Sequence, residues 1–277
     1  MATTRSLLTK GLVYLLLVSM AVVAAFPFYW MFVLATHDRS TIFSAPPPLW
    51  FGKEAPENYR RLVEALPFTR NAWNSVYTSV MATVTTLSFC SLAGFGFAMY
   101  EFKWREQLFA FLLATMMIPS LLGMIPYYLI IKWLGWANLP RALYIPGMAS
   151  AFGIFLMRQY IVSAIPPDLL DAGRIDGLSE FRLYRSIVVP LIKPALGTLG
   201  IITFVSQWNN FLGGLIVLKE RPAYTLPLAL RSLQGMISTD WGALMLGTAL
   251  SVLPLLVVFV IGSQRIIEGL TAGAIKG

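Results

Sequence analysis

Residues 165–194 read IPPDLLDAGRIDGLSEFRLYRSIVVPLIKP, a polar stretch set between two long uncharged ones. Connections between secondary-structure elements typically run to about 4–6 residues, so a link of this length needs structure of its own. Pro166 and Pro167 end an incoming helix and open a new one. Asp168 and Asp171 fall in its first turns, where carboxylates complement the positive end of the helix dipole. Gly177 permits a turn, and Ser179 stands where it can cap a second short helix from Glu180. Phe181, Tyr184 and Val188 recur at i, i+3 and i+7, which predicts one apolar face turned inward. The segment reads as a helix–turn–helix lying at a membrane surface. On the residues alone, an unpartnered amphipathic hairpin and a docking element are both open.

The membrane follows from the rest of the chain. Of 277 residues, 57% are hydrophobic and only 12% charged, with a mean hydropathy of +0.69. Soluble domains carry about 25% charged residues, and disorder needs the opposite composition. Six stretches contain no charged residue or His: 11–36, 71–100, 107–131, 142–157, 194–218 and 241–264. A helix needs about 20 apolar residues to cross a hydrocarbon core of ~30 Å. Five stretches meet that unaided. The fourth meets it over 142–163 if Arg158 snorkels to the interface. Six transmembrane helices in a single domain over 1–277 are therefore predicted, with both termini on one side. Pro119, Pro126, Pro146, Pro254, Gly94 and Gly96 inside these stretches suit a packed bundle.

The first stretch could be a cleaved leader, but its apolar run continues through Phe26–Leu34, beyond an h-region of about 7–15 residues. A retained helix kinked near Pro27 is the preferred reading. The net charge of +8 comes from 21 basic residues scattered singly between apolar runs, which fits membrane flanks and not a nucleic-acid footprint. Lys and Arg divide almost evenly between the two sides, so the positive-inside bias does not orient the chain. The lone cysteine, Cys90, and lone histidine, His37, leave no internal disulfide and no metal-ligand cluster.

In the fifth stretch Thr203, Gln207, Asn210 and Gly214 recur at i, i+4, i+7 and i+11, a polar stripe beside Trp208 and Asn209. Polar groups at membrane depth are costly unless paired or facing water. Interhelical hydrogen bonds and the lining of a substrate path are both open. Residues 37–70, with Pro46-Pro47-Pro48, form a mixed-charge loop, for which an extended collar and a bland surface loop are both open.

With these residues in view, segment 165–194 resembles the EAA loop of ABC-importer permeases: Glu-Ala-Ala, a Gly six positions after the Glu, then Ile-x-Leu-Pro. Asp171, Ala172 and Gly173 stand at the first three positions, Gly177 at the Gly, and Ile187, Val188, Val189 and Pro190 at the last four. Asp171 and Gly173 depart from the pattern. Within the fifth stretch, Ser206-Gln207-Trp208-Asn209-Asn210-Phe211 is similar to the Trp-Asn motif of maltose-type carbohydrate permeases. So are Tyr224-Thr225-Leu226-Pro227-Leu228 and the tail Gly269–Gly277, and together these cover essentially the whole chain.

The resemblance implies an all-α polytopic type I permease of an ABC sugar importer in a prokaryotic cytoplasmic membrane, with both termini and the hairpin cytoplasmic. It assigns ATPase coupling to Asp168, Asp171, Ala172, Gly173, Asp176 and Gly177. It assigns contact with an external binding protein to Tyr224, Leu226, Leu228 and Gln234; the polar stripe and its neighbours, Thr203, Gln207, Trp208, Asn209 and Asn210, are the candidates for the substrate pathway, although in the resembled family the partner permease can carry most sugar contacts. The implied partners are a second, paralogous permease, two ATPase subunits that bind ATP and Mg, a solute-binding protein, a carbohydrate and the bilayer. This chain has no GxxxxGK[ST] phosphate loop and no Gly-x-Ser-x-Gly or His-Glu-x-x-His arrangement, so neither an enzyme nor a resident cofactor or metal is expected. An ion-coupled carrier would ordinarily keep a charged group within its spans, and none of the six stretches has one.

Overall fold

The computed structural model describes residues 2–234 and 239–272, with side chains at 10–234 and 239–262. Among the described residues every regular element is helical. Three helices are each long and apolar enough to cross a membrane: α1 (Ala2–Leu34), α3 (Phe68–Met99) and α12 (Trp241–Ala272). The tail motif ends at 273–277, outside the described residues.

The chain divides into two units, the first comprising 1–68 and 230–253. In it, α1 continues unbroken through Pro27, and none of its most apolar stretch is buried within this chain. The collar folds back on the end of α1: the Tyr29 hydroxyl donates to the Leu49 carbonyl at 2.7 Å and the Trp30 indole to that of Pro48 at 3.0 Å. The collar includes the helix α2 (Ala55–Ala65), on which Asn58 is fully buried. Its amide donates to the carbonyls of Ala35 (2.8 Å) and His37 (3.0 Å), satisfying the chain as it leaves α1. Arg61 pairs with Asp240 at 2.8 Å.

The second unit comprises 69–229 and 254–277. After α3 come α4 (Arg105–Thr115), α5 (Met124–Trp133) and α6 (Ala151–Ala164). The hairpin helices are α7 (Pro167–Ile175) and α8 (Glu180–Leu183); α9 (Lys193–Trp208), α10 (Phe211–Val217) and α11 (Leu226–Leu233) follow. One core joins α3, α6, the hairpin and α9 through Cys90, Phe95, Met157, Leu170, Val188 and Leu199. Cys90 is fully buried, its thiol directed at the carbonyls of Met148 and Ser150. Gly94 lets α3 approach α6, since a Cβ there would lie 2.6 Å from that of Met157.

Three of the expected spans are interrupted. The stretch 107–131 is two helical segments bent by 93°, because Ile118 precedes Pro119 and that position disfavours helix. The fourth is a short helical turn at Arg141–Tyr144 and a helix again only from Ala151: Pro146 and Gly147 interrupt it, and Ser150 caps α6 by accepting from the Gly153 amide at 3.1 Å. The fifth breaks at Asn209–Asn210, where the Asn210 side chain caps α10 by accepting from the Gly213 amide at 3.0 Å. Arg158 does not simply reach for the interface. Its guanidinium lies 4.2 Å from the Phe109 ring centroid, donates to the Phe97 carbonyl and stands 3.7 Å from the Glu106 carboxylate.

Candidate functional site

The hairpin forms as its prolines and glycine predict. Pro166 occupies the position before α7 and Pro167 its first turn. The helix ends in a paired closure: the Gly177 amide donates to the Arg174 carbonyl and the Leu178 amide to that of Gly173, both at 3.0 Å. This closure requires a left-handed residue, and Gly177 has φ +77°. Asp176 is the last residue before it. Ser179 has the extended backbone of a cap, but its side chain makes no capping bond.

The inward face of the second arm differs from the expected one. Leu183 and Val188 are fully buried, whereas Phe181 is 64% exposed. A π-helical turn at Tyr184–Val188 is the reason: its wider turn brings residues five apart onto one side. Gly173 faces this arm, where a Cβ would lie 2.5 Å from Leu183 Cδ2 and 3.1 Å from Ile187 Cδ1. The glycine that departs from the Ala of the resembled pattern is thus the point where the two arms touch.

The remaining hairpin positions face outward. Asp168, Asp171, Ala172 and Asp176 are exposed, and between them lie Leu169 at 40% and Ile175 at 87% exposure. Arg174 closes the turn electrostatically, donating to Asp171 at 2.8 Å and to Glu180 at 2.9 Å. Glu180 also accepts from the Tyr100 hydroxyl, just beyond the end of α3. The Arg174 hydrogen bond, then that of Tyr100, holds the Glu180 carboxyl below the usual carboxylate range. Burial, then Glu180, pushes the Tyr100 phenol up to about 12.

A cleft of about 340 Å³ opens between α3, the segment around 143–152 and α9. Of the residues expected on the pathway, Thr203, Gln207 and Asn210 line it, joined by Ser206, Tyr144 and Ser150. Trp208 and Asn209 do not. Trp208 is buried and stacks on Phe204 at 5.8 Å between centroids; Asn209 turns back to donate to the Val205 carbonyl at 3.0 Å. The stripe stops at Asn210 because the helix does, and Gly214 lies elsewhere, near Thr225 and Leu228. The Gln207 Nε2 is buried without a hydrogen-bond partner.

Of the residues expected to meet a binding protein, Leu226 and Leu228 are buried inside this chain, at 2% and 4% exposure. Tyr224 is half-buried and Gln234 exposed; residues 235–238 lie outside the described part. The preceding loop is fastened to the start of α3. Asn71 donates to the carbonyls of Arg221 (2.9 Å) and Tyr224 (3.0 Å), and Asn74 to those of Pro222 (2.9 Å) and Tyr224 (3.0 Å). Ser75 accepts from the Leu226 amide at 2.7 Å. Sequence reasoning missed these anchors, whose signal was the amide and hydroxyl groups at i, i+3 and i+4 opening an otherwise apolar span.

Comparison with known proteins follows the same outline. The family model described as "Binding-protein-dependent transport system inner membrane component" matches residues 87–270. A lactose transport system permease protein from Rhizobium radiobacter is 34% identical over 276 residues, covering 100% of both chains. A trehalose/maltose transport system permease protein from Thermococcus litoralis is 33% identical over 265 residues, 93% of this chain and 94% of the other. A chain from the crystal structure of a bacterial ABC transporter involved in the import of the acidic polysaccharide alginate superposes with a TM-score of 0.80. At 21% identity, over 94% of this chain and 97% of that one, it shares the fold.

Proposed function

The chain belongs to the family of binding-protein-dependent transport system inner membrane components, and on that premise we propose that it carries a carbohydrate, delivered by an external binding protein, through a prokaryotic cytoplasmic membrane. As a multi-pass permease of an ABC importer it works with a second permease, a paralogue of this chain, and with two ATPase subunits that hold ATP and Mg. Both termini and the hairpin face the cytoplasm.

The observation that supports this reading best is the outward face of α7. Leu169, Ala172 and Ile175 give it an apolar edge, with Asp168, Asp171 and Asp176 along it. A short amphipathic helix of this kind suits a groove on a partner. Its other side is fixed: Leu170 is buried in the core shared with α3, α6 and α9, and Arg174 and Glu180 bind the turn to Tyr100. When two ATPases close on ATP, helices seated in their grooves move as rigid bodies and carry the attached spans from one access state to the other. Asp168, Asp171, Ala172, Gly173, Asp176 and Gly177 serve that coupling, Gly173 and Gly177 by shaping the hairpin and the others at its face. Tyr224 and Gln234 are the residues available to the binding protein.

Purification of the tagged chain from its native host in mild detergent tests this, with Ile175→Asp beside the unsubstituted chain. The unsubstituted chain is expected to bring down an ATPase, a second permease and a binding protein, and Ile175→Asp to lose the ATPase. Recovery of the unsubstituted chain alone, or only as a homo-oligomer, would overturn the reading.

A further inference from the structure

The cleft beside α9 is walled by three of the uncharged stretches, 71–100, 142–157 and 194–218. Although 21 basic and 13 acidic residues are spread over the chain, every side chain that lines this cleft is uncharged. Its polar groups are hydroxyls and amides: Thr86 on α3, Thr203, Ser206 and Gln207 on α9 with Asn210 after it, and Ser150 on the segment that also brings the rings of Tyr144 and Phe152. Its volume of about 340 Å³ lies at the lower end of the range for small-molecule sites, about 300–1,000 Å³.

Gln207 gives the cleft a polarity to be met. Its Oε1 accepts from Asn210 Nδ2 at 3.4 Å, which orients the amide. The Nε2, a two-hydrogen donor, is buried with no partner. A buried donor left unpaired is destabilising, and a ligand oxygen placed there restores what is missing. Tyr144 is positioned from outside. Its ring meets that of Tyr77 edge to face at 6.2 Å and forms part of both this cleft and a neighbouring one lined by Tyr77, Pro140 and Arg141. In that neighbouring cleft the Arg141 guanidinium lies 5.4 Å from the Trp136 ring centroid. It is absent from the wall around Gln207.

We propose that this cleft is a subsite through which the chain itself contacts its cargo, and that the cargo is a neutral sugar, not a phosphorylated or uronic one. The apolar C–H face of a pyranose lies on Tyr144, and a ring hydroxyl accepts from Gln207 Nε2. Hydroxyl groups of Thr203 and Ser206 take up the neighbouring positions. An anionic sugar entering the cleft would leave water and find no cation among the side chains that line it, Arg141 belonging to the neighbouring cleft, which disfavours it. The assignment rests on the importer reading and adds to it which subunit touches the sugar and what charge that sugar carries.

The test is equilibrium dialysis of the purified complex, without its binding protein, against radiolabelled lactose, maltose and trehalose, with glucose 6-phosphate and glucuronate as anionic probes. At least one neutral disaccharide is expected to bind, and neither anion. Gln207→Leu is expected to weaken that binding about tenfold or more, as for sites built around a ligand hydroxyl. Tyr144→Phe should keep it and Tyr144→Ala lose it. Gln207→Asn, which keeps the amide with a shorter reach, provides a second variant, and co-purification of the ATPase shows that each variant has folded and assembled. An assembled complex that binds the anions preferentially, binds none of the probes, or binds equally well with Gln207→Leu and Gln207→Asn would overturn the subsite. Failure of the unsubstituted chain to assemble with an ATPase would instead overturn the importer reading.

Discussion

Tyr100, just beyond the last turn of α3, donates its hydroxyl proton to Glu180, the first residue of α8, eighty positions further along the chain. The bond joins a long membrane helix directly to the hairpin. Tyr100→Phe and Glu180→Gln should therefore leave the chain in the membrane and the ATPase bound, while sugar uptake per complex falls several-fold. Uptake in vesicles, normalised to immunoblotted complex, checks this. Unchanged uptake in both variants would count against a transmitting role for the bond.

The same carboxylate sets a pH dependence. Its pKa in the folded chain is lowered from 4.5, so the unfolded state takes up the proton first as pH falls. The stabilisation is present in full above about 4.5 and is lost as pH drops through the lower folded value. Limited proteolysis of the hairpin should show protection unchanged from pH 7 to 5 and weakened below 4. Glu180→Gln should remove that acid step. The group is half exposed, so the effect is small.

Gly177 has open space around its missing side chain but a φ of +77°. Conformation and not room is what excludes other residues. Gly177→Ala should cost about 1–2 kcal/mol in hairpin stability, and Gly177→Asn less. Gly177→Val, β-branched, should abolish uptake at normal expression. Ranking the three variants by uptake tests the argument, and normal transport by the valine variant would refute it.

Gly173 is limited by room instead. A methyl there meets Leu183, so Gly173→Ala should impair coupling although alanine is the better helix former by about 1 kcal/mol. Adding Leu183→Ala should restore part of the loss. A double-mutant cycle on uptake or thermal stability gives the interaction between the positions; strict additivity would show that they do not touch.

Asn71 and Asn74 hold the loop ahead of α11 through four hydrogen bonds to backbone carbonyls. Replacing Asn71 by Ala removes two of the four bonds, at a cost of about 0.5–1.5 kcal/mol each. The loop around 219–225 should become protease-sensitive while the hairpin stays protected, as mass mapping of the fragments would show.

The hairpin was legible because its punctuation is local: two prolines open it, one glycine turns it, and each acts through its own backbone geometry. Its buried face was legible at Val188 and Tyr184 but not at Leu183 or Phe181, because the π turn at Tyr184–Val188 changes the period from within, and no residue type announces that. The breaks inside the third and fifth spans were missed for another reason. Counting charge measures whether a stretch can enter a membrane, and Pro119 or Asn210 alters its path without altering its hydropathy. Of the polar stripe, Thr203, Gln207 and Asn210 were placed together by helical spacing. Trp208 and Asn209 entered through the Trp-Asn motif and their place beside the stripe, and the turn of the helix directs them elsewhere. Ser150 and Tyr144, across the cleft, come from a part of the chain that periodicity along α9 cannot reach.

Cys90, sealed on α3 against the turn before α6, has a practical consequence. A thiol-directed reagent applied to the folded protein meets a chain whose only cysteine is out of its reach. The native sequence therefore serves as its own blank for labelling. A single cysteine placed at exposed Ile175 or Gln234 would be the one reactive position, so the accessibility of either site and its movements can be followed without first rebuilding the chain.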